Sequence, residues 1–484
     1  VIVCGAATAS ARPATTLCVG AKAGCYPTIQ AALDAAENGD TIAVGAGAFE
    51  GGITISKSVQ LVGAGAGATT IQGGGPVITV GELEGVDQPT VSISRVRITG
   101  GLNDSAPEPF AASGGGVWVP PGVGNSTGAT VSISDSVITG NRAAPQTTVD
   151  LCGHPCAFAA GAGVNNAGTL TVTGTRITDN VAGSSTSEPS VASYAAGGGV
   201  MNGPQGTLTL RHSIVTGNRA AVSLPNGRNT DGGGIVSYGT LSVEDSVVGG
   251  NSSIVEAAVP SSFFSIFVQE ANAGGLYLTQ GSTTTVTRSR ISGNTVESRN
   301  TAGDASAEAG GIDSEGSLRL VGSIVSGNTA VATVPASSGF LAETDGGGLQ
   351  VGGVTLVRDS LVAHNSLRAT SEAGPALASG GGLANISGRL TLERTLVVAN
   401  TAAATGVGGF NLGGGILNVL FGGGAPELTL TDSVVIANKL DASEGVLSQG
   451  GGLYTANPFT GQPFPVAMSR VVIKGNAPDQ CFGC

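Results

Sequence analysis

Along most of the chain short runs alternate apolar and polar residues with a period of two, as in Leu170-Thr171-Val172-Thr173 and Leu208-Thr209-Leu210-Arg211. That period puts successive side chains on opposite faces, so each run predicts a short β-strand with one face buried. The runs recur. Ten times a Gly-rich triplet is followed by an aliphatic residue, from Gly116-Val117 to Gly452-Leu453, and ten times the segment that follows closes on Asn, from Asn141 to Asn476. Aligned on that Asn, the residue three before it is always β-branched (Ile138, Ile177, Val215, through to Ile473). The residue eight before it is always apolar (Ile133, Val172, Leu210, through to Met468). With the aliphatic after each triplet these make three apolar columns, as expected of three short strands per coil turned onto one stacked interior. The predicted fold is all-β, a single parallel β-helix.

Asn suits the end of each coil because it tolerates a left-handed turn and its amide can bond the same amide one coil away. The triplets suit sharp turns where the backbones of successive coils pass closely. Between each Asn and the next triplet lie from about 11 to 21 residues, a variation that predicts long loops leaving one edge. Residues 28–40, with Thr28 at the start and Gly39 as the stop, read as a short helix closing the first coil. The chain then divides into a Cys-containing segment 1–27, the capping helix 28–40, less regular first coils 41–113, the ten-repeat solenoid 114–478 and a Cys-terminated tail 479–484.

Three motifs carry a resemblance. Thr28-Ile-Gln-Ala-Ala-Leu33, Gly39-Asp-Thr-Ile-Ala-Val44 and Ile55-Ser-Lys-Ser-Val-Gln-Leu-Val-Gly63 resemble the opening of the pectate-lyase-like right-handed β-helix superfamily. The pairing of Gly-Gly-Gly-Ile with Ile-x-x-Asn resembles the repeats of polymorphic outer-membrane and related bacterial surface proteins. The resemblance spans roughly residues 27–478 and implies a right-handed solenoid. It implies no single activity, since that superfamily includes lyases, esterases, hydrolases, epimerases and adhesins. The membrane barrel carried by the outer-membrane relatives has no counterpart here.

Composition narrows the partners. Only 11% of the residues are charged and 4% aromatic, and 81 of 484 are Gly. The net charge of −12, with 21 Lys and Arg and no basic run, excludes the electrostatic footprint of a nucleic-acid binder. No apolar run approaches the ~20 residues of a membrane helix, so no membrane insertion is expected. The seven cysteines are clustered. Close spacing predicts local disulfides Cys18–Cys25, Cys152–Cys156 and Cys481–Cys484, an oxidising extracellular setting, and Cys4 left over for an intermolecular bond. With the ends of a solenoid of about thirteen coils ~60 Å apart, that bond would join copies end to end into fibres.

The ionisable residues decide between structure and chemistry. Six before the Asn, adjacent coils alternate in sign: Asp245 and Arg288, then Asp359, Arg394, Asp432 and Arg470. Such neighbours hold strand register. The alternative, a calcium-and-Arg site like that of pectate lyases built on Asp359, Arg394 and Asp432, lacks a cluster of carboxylates. Asp231 and Asp345 both precede triplets but stand three coils, ~14 Å, apart, too far for the carboxylate pair of a glycosidase. Cys152-Gly-His154-Pro-Cys156 resembles half a zinc site with no second half nearby. No catalytic residue, metal or cofactor is therefore assigned. Two residues after each triplet runs an outward column in which Trp118, Tyr277 and Tyr454 can stack on sugar rings. The reading is a secreted, non-catalytic solenoid of the cell surface or matrix, self-associating end to end. The alternatives are a polysaccharide-active enzyme and a glycan-binding module.

Overall fold

Each repeat lies flush against the repeats before and after it, and every pairing between strands is parallel, as in Thr169–Thr173 against Thr207–Arg211. The computed structural model describes residues 12–104, 112–145, 156–184, 192–223, 227–258, 269–335, 339–420 and 425–484. A full coil crosses five sheets in turn. One coil runs through Leu276–Leu278 (sheet 1), Thr283–Thr287 (sheet 2), Arg290–Ser292 (sheet 3), Thr295–Asn300 (sheet 4) and Ala305–Glu308 (sheet 5). Among the described residues the five sheets hold 13, 14, 13, 10 and 10 strands.

Sheets 1 to 3 enclose the main core. The three apolar columns of the sequence all point into it, with side chains such as Ile133, Ile138, Val164, Leu210 and Ile291 fully buried. The segments between Asn and triplet, expected as loops, instead go out along sheet 4 and return along sheet 5. Their inner faces close on a second, narrower core of small side chains, among them Ala220, Ala271, Ala307, Ala369 and Ala404. Alternation of two survives here, but its apolar partner is mostly Ala, which lets the two sheets of this wing approach closely. The variation in length is absorbed between the two legs, which keep register with their neighbours.

Glycine is required where wing and main core join. A Cβ on Gly233 would sit 2.3 Å from the carbonyl carbon of Ser252, and one on Gly234 2.7 Å from Gly275 O. Beneath that Gly runs the Asn ladder. Asn294 Nδ2 donates to Asn328 Oδ1 at 2.9 Å and to Val248 O at 3.1 Å, while its own backbone N–H donates to the same Asn328 oxygen. The pattern repeats from Asn141 to Asn476. Each interior amide is thus satisfied in the dry core, where an unpaired one would cost ~1–3 kcal/mol.

Helix α1, Ile29–Ala35, starts at Thr28, whose hydroxyl accepts from Ala31 N, and buries Ile29, Ala32 and Leu33. Lys57 Nζ donates to three carbonyls at its end, those of Leu33, Asp34 and Ala36. Both chain ends contribute strands. Thr16–Val19 pairs with Thr41–Val44 as the outermost strand of sheet 2, and Cys481–Phe482 pairs with Leu453–Tyr454 in sheet 1. Disulfides join Cys18 to Cys25 and Cys481 to Cys484. Cys156 is buried at the start of a sheet 5 strand; Cys4 and Cys152 lie outside the described residues. Among the described residues no helix is long and apolar enough to cross a membrane.

Candidate functional site

The charge column between sheets 2 and 3 is made of ion pairs. Arg394 Nε meets Asp359 Oδ1 at 2.6 Å, Arg288 meets Asp245 and Glu244, Arg358 meets Glu393, and Arg470 meets Asp432. Asp245, Arg288, Asp359, Arg394, Asp432 and Arg470 all turn the chain with positive φ, between 46° and 53°, so the column marks a corner of the coil. Asp359, Arg394 and Asp432 are each engaged in these pairs, and their carboxyls are held below the ordinary range first by the hydrogen bond from the partner guanidinium. They form the edge stitching of the solenoid.

The chemistry-bearing side chains converge elsewhere. Sheets 5 and 1 meet at the first residue of each triplet, which also has positive φ: 53° at Gly232, 44° at Ala273, 55° at Ala309 and 63° at Gly346. Across that turn outward-facing side chains reach one another. Gln350 Nε2 on sheet 1 donates to Glu308 Oε2 on sheet 5 at 2.6 Å, a contact that two outer faces make only where they form a groove. On sheet 5 the residue before the turn runs in register Asp231, Asn272, Glu308, Asp345, and the outward residue two earlier runs Asn229, Glu270, Ser306, Glu343. On sheet 1 the facing column runs Val236, Tyr277, Asp313, Gln350. Tyr238 and Glu315 stand at the rim.

Carboxylates do gather in this groove, without the Arg or Lys of the pectate-lyase pattern. Asp231 and Asp345 are indeed three coils apart, but Asn272 and Glu308 fill the interval and Asp313 faces them. Among the described residues none of these carboxylates is paired with Lys or Arg. Burial therefore pushes them all up. Asp231 rises to about 6, against a hydrogen bond from Asn272 Nδ2 at 3.0 Å. Glu308 rises to about 7 through burial and then the charge of Glu270, and Glu343 to about 7 through burial and then Glu308. Asp313 and Asp345 go well above the ordinary range, again through burial first and acidic neighbours second. Asp313 is only 1% exposed, and its Oδ1 has no hydrogen-bond partner; nor have Asn272 Oδ1 and Gln350 Oε1. Burial, followed by the charges of Asp231 and Asp313, raises the Tyr277 phenol. Among the described residues no group of three or more His, Cys, Asp or Glu is disposed to hold a metal ion.

The three aromatic residues of the sugar-stacking expectation part company. Tyr277 lines the acidic stretch. Trp118 is partly exposed on the same column, and Phe158 and Tyr194 stand partly buried on the facing sheet 5 column at the N-terminal side of the acids. Tyr454 is unavailable: it is 2% exposed and stacked on Phe482 with ring centroids 5.2 Å apart. His154 lies outside the described residues. Glu270, Glu308 and Glu343 were invisible to an alignment anchored on Asn, because the wing length varies between Asn and triplet. Counting back from the triplet puts Asp231, Asn272, Glu308 and Asp345 in one column.

These features define a parallel β-helix protein with an acid-lined groove along one corner. No family model matches the chain, and no curated protein matches it. Among solved structures it is similar to the A-module of the Azotobacter vinelandii mannuronan C-5 epimerase AlgE6, at 14% identity and a TM-score of 0.36 over 93% of this chain and 95% of that one. It is also similar to Escherichia coli YbhC, at 14% identity and a TM-score of 0.23 over 78% and 77%. Likeness at this level carries nothing about activity.

Proposed function

We propose that the groove between sheets 5 and 1 is a polysaccharide-cleaving site working by general acid–base catalysis between carboxyl groups. The observation that carries this reading is Asp313: a buried carboxyl with an unpartnered oxygen, facing a stack of carboxylates that no Lys or Arg among the described residues pairs with. A scaffold gains nothing from such a stack, since unpaired buried acids cost stability. Catalysis does gain from it, because acid and base need environments that separate their protonation. Asp313, whose carboxyl burial raises well above the ordinary range, would deliver a proton to the leaving glycosidic oxygen. Asp231, ionised above about pH 6, would take one from the attacking water. Tyr277 lies under the influence of both and would orient the sugar between them. Trp118, Phe158 and Tyr194 continue the groove as flat surfaces for neighbouring sugar rings.

The non-catalytic surface role accounts for the Asn ladder and the paired charges at the corner of sheets 2 and 3 but not for the groove. Reducing-end release from a polysaccharide panel tests the catalytic reading. Asp313→Asn and Asp231→Asn should each lower turnover ~10²–10⁴-fold with the fold intact by circular dichroism. Full turnover in Asp313→Asn, or no polymer cleaved by the native protein, would return the protein to the structural reading.

A further inference from the structure

The groove is unusual in what it lacks. The two amide donors at its floor are spent internally, Asn272 Nδ2 on Asp231 and Gln350 Nε2 on Glu308. Their own oxygens, with Asp313 Oδ1, remain buried acceptors without a donor. Whatever fills the groove must therefore bring donors. It must also not bring negative charge at pH 7, where Asp231 is ionised: a carboxylate ~5 Å from that charge at an effective dielectric of ~20 would weaken binding ~10²-fold. Polyuronates carry a carboxylate on every ring and have no Lys or Arg here to receive it. Neutral glycans carry several hydroxyls per ring, each able to donate to an orphaned acceptor and to accept a hydrogen bond from a neutral carboxyl.

We infer that the polymer taken by this groove is an uncharged, hydroxyl-rich glycan, and that the groove excludes uronates. The inference rests on the catalytic reading for the groove being a glycan site, but it concerns recognition and is tested by binding. The probes are matched pairs: polygalacturonate, polymannuronate, glucuronan and hyaluronan, each beside its carboxyl-reduced derivative, which differs only in losing the charge. In affinity electrophoresis of the whole protein at pH 7, at least one reduced polymer is retained and its acidic parent is bound at least ~10²-fold more weakly. Retention of an acidic parent as tight as that of its reduced form overturns the inference, and so does failure of every reduced polymer to bind. Gln350→Lys sharpens the test by placing a cation beside Glu308 and Asp313: the gap between the two members of the pair narrows at least tenfold. An unchanged gap in a folded Gln350→Lys protein also counts against the inference. Reduced polymer bound but never cleaved would sink the catalytic reading and leave this one standing; cleavage of a uronate would do the reverse.

Discussion

The same corner of the solenoid is acidic in its middle coils and apolar towards its C-terminal end. Where the middle has Glu308, Asp345, Asp313 and Gln350, the later coils have Leu412, Leu417 and Tyr454 at the corresponding positions of the same two columns. There Ala384, Leu412, Leu417, Val419, Tyr454 and Ala456 close into a dry cluster, with Phe410 against it. The backbone is the same, and so is the turn: Gly413 has φ 64° where Ala309 has 55°. One stretch thus gains stability from the groove and the other gives it up, and a chain that departs from the stable solution at one place marks where function resides.

Exchanging the two solutions gives the largest effects. Leu417→Asp puts a carboxylate with no partner into the dry cluster and should cost about 4 kcal/mol in denaturant unfolding. A cost below ~1 kcal/mol would mean that the groove is wet along its whole length, and the contrast would dissolve. The reciprocal Asp313→Leu should raise stability by ~1–3 kcal/mol while abolishing cleavage. Loss of both stability and activity would instead make Asp313 a structural residue.

Proton linkage separates the regions next. The groove acids are ordinary in the unfolded chain, at 3.8 to 4.5, and raised in the folded one, to about 6 for Asp231 and about 7 for Glu308 and Glu343. The folded state therefore binds more protons, and stability is lost as pH rises from about 4 to about 7. Asp40 works the other way. The backbone N–H groups of Glu37 and Thr15, and then the Arg12 guanidinium, hold it at about 2, so its contribution is lost as pH falls from about 4 to about 2. Melting temperature should peak near pH 4, and Glu308→Gln should flatten the decline above the peak. A native melting temperature that rises from pH 4 to 7 would remove the groove's protonated acids from the account.

The main core was legible because its columns are strictly apolar and keep a fixed distance from Asn: Ile138, Val215 and Ile291 could be aligned by eye. The wing was not, for a physical reason. Its inner face is Ala, as at Ala271 and Ala307, a residue that gives alternation little contrast, and its outer leg reaches a tip of variable length. Glu270, Glu308 and Glu343 were lost with it, since they lie on the return leg. Asp313 was visible in the outward column of Trp118 and Tyr277, but a single acid there pointed to nothing until sheet 5 supplied its partners. The Ser and Thr residues five before the Asn in nine of the ten repeats, such as Ser289 and Ser323, whose hydroxyls accept from the neighbouring coil's backbone, are readable from spacing alone.

A smaller effect concerns the turn under the acids. Ala273 and Ala309 take the left-handed conformation where the corresponding residues before and after are glycines, Gly232 and Gly346. Holding Ala there costs ~1–2 kcal/mol per residue, partly offset because Ala restricts the unfolded chain by ~0.4–1 kcal/mol relative to Gly. Ala309→Gly should therefore stabilise by about 0.5 kcal/mol. Destabilisation would show that the Ala309 methyl packs under Glu308 and helps to shape the groove floor.

The smallest effect is reserved for the acids outside the groove. Asp359 is ionised, half exposed and bonded to Arg394, whereas Asp313 is buried, has an oxygen without a partner and is pushed well above the ordinary carboxylate range by burial. Removing the charge of Asp359 leaves Arg394 in water, where it is readily solvated, so Asp359→Asn should change neither cleavage nor glycan binding. It should lower the melting temperature by less than Leu417→Asp does, and the difference from the native protein should shrink in 1 M salt, which weakens exposed ion pairs. A loss of cleavage in this variant would extend the chemistry to the corner of sheets 2 and 3, on the far side of the core, and the division between stitching acids and working acids would fail.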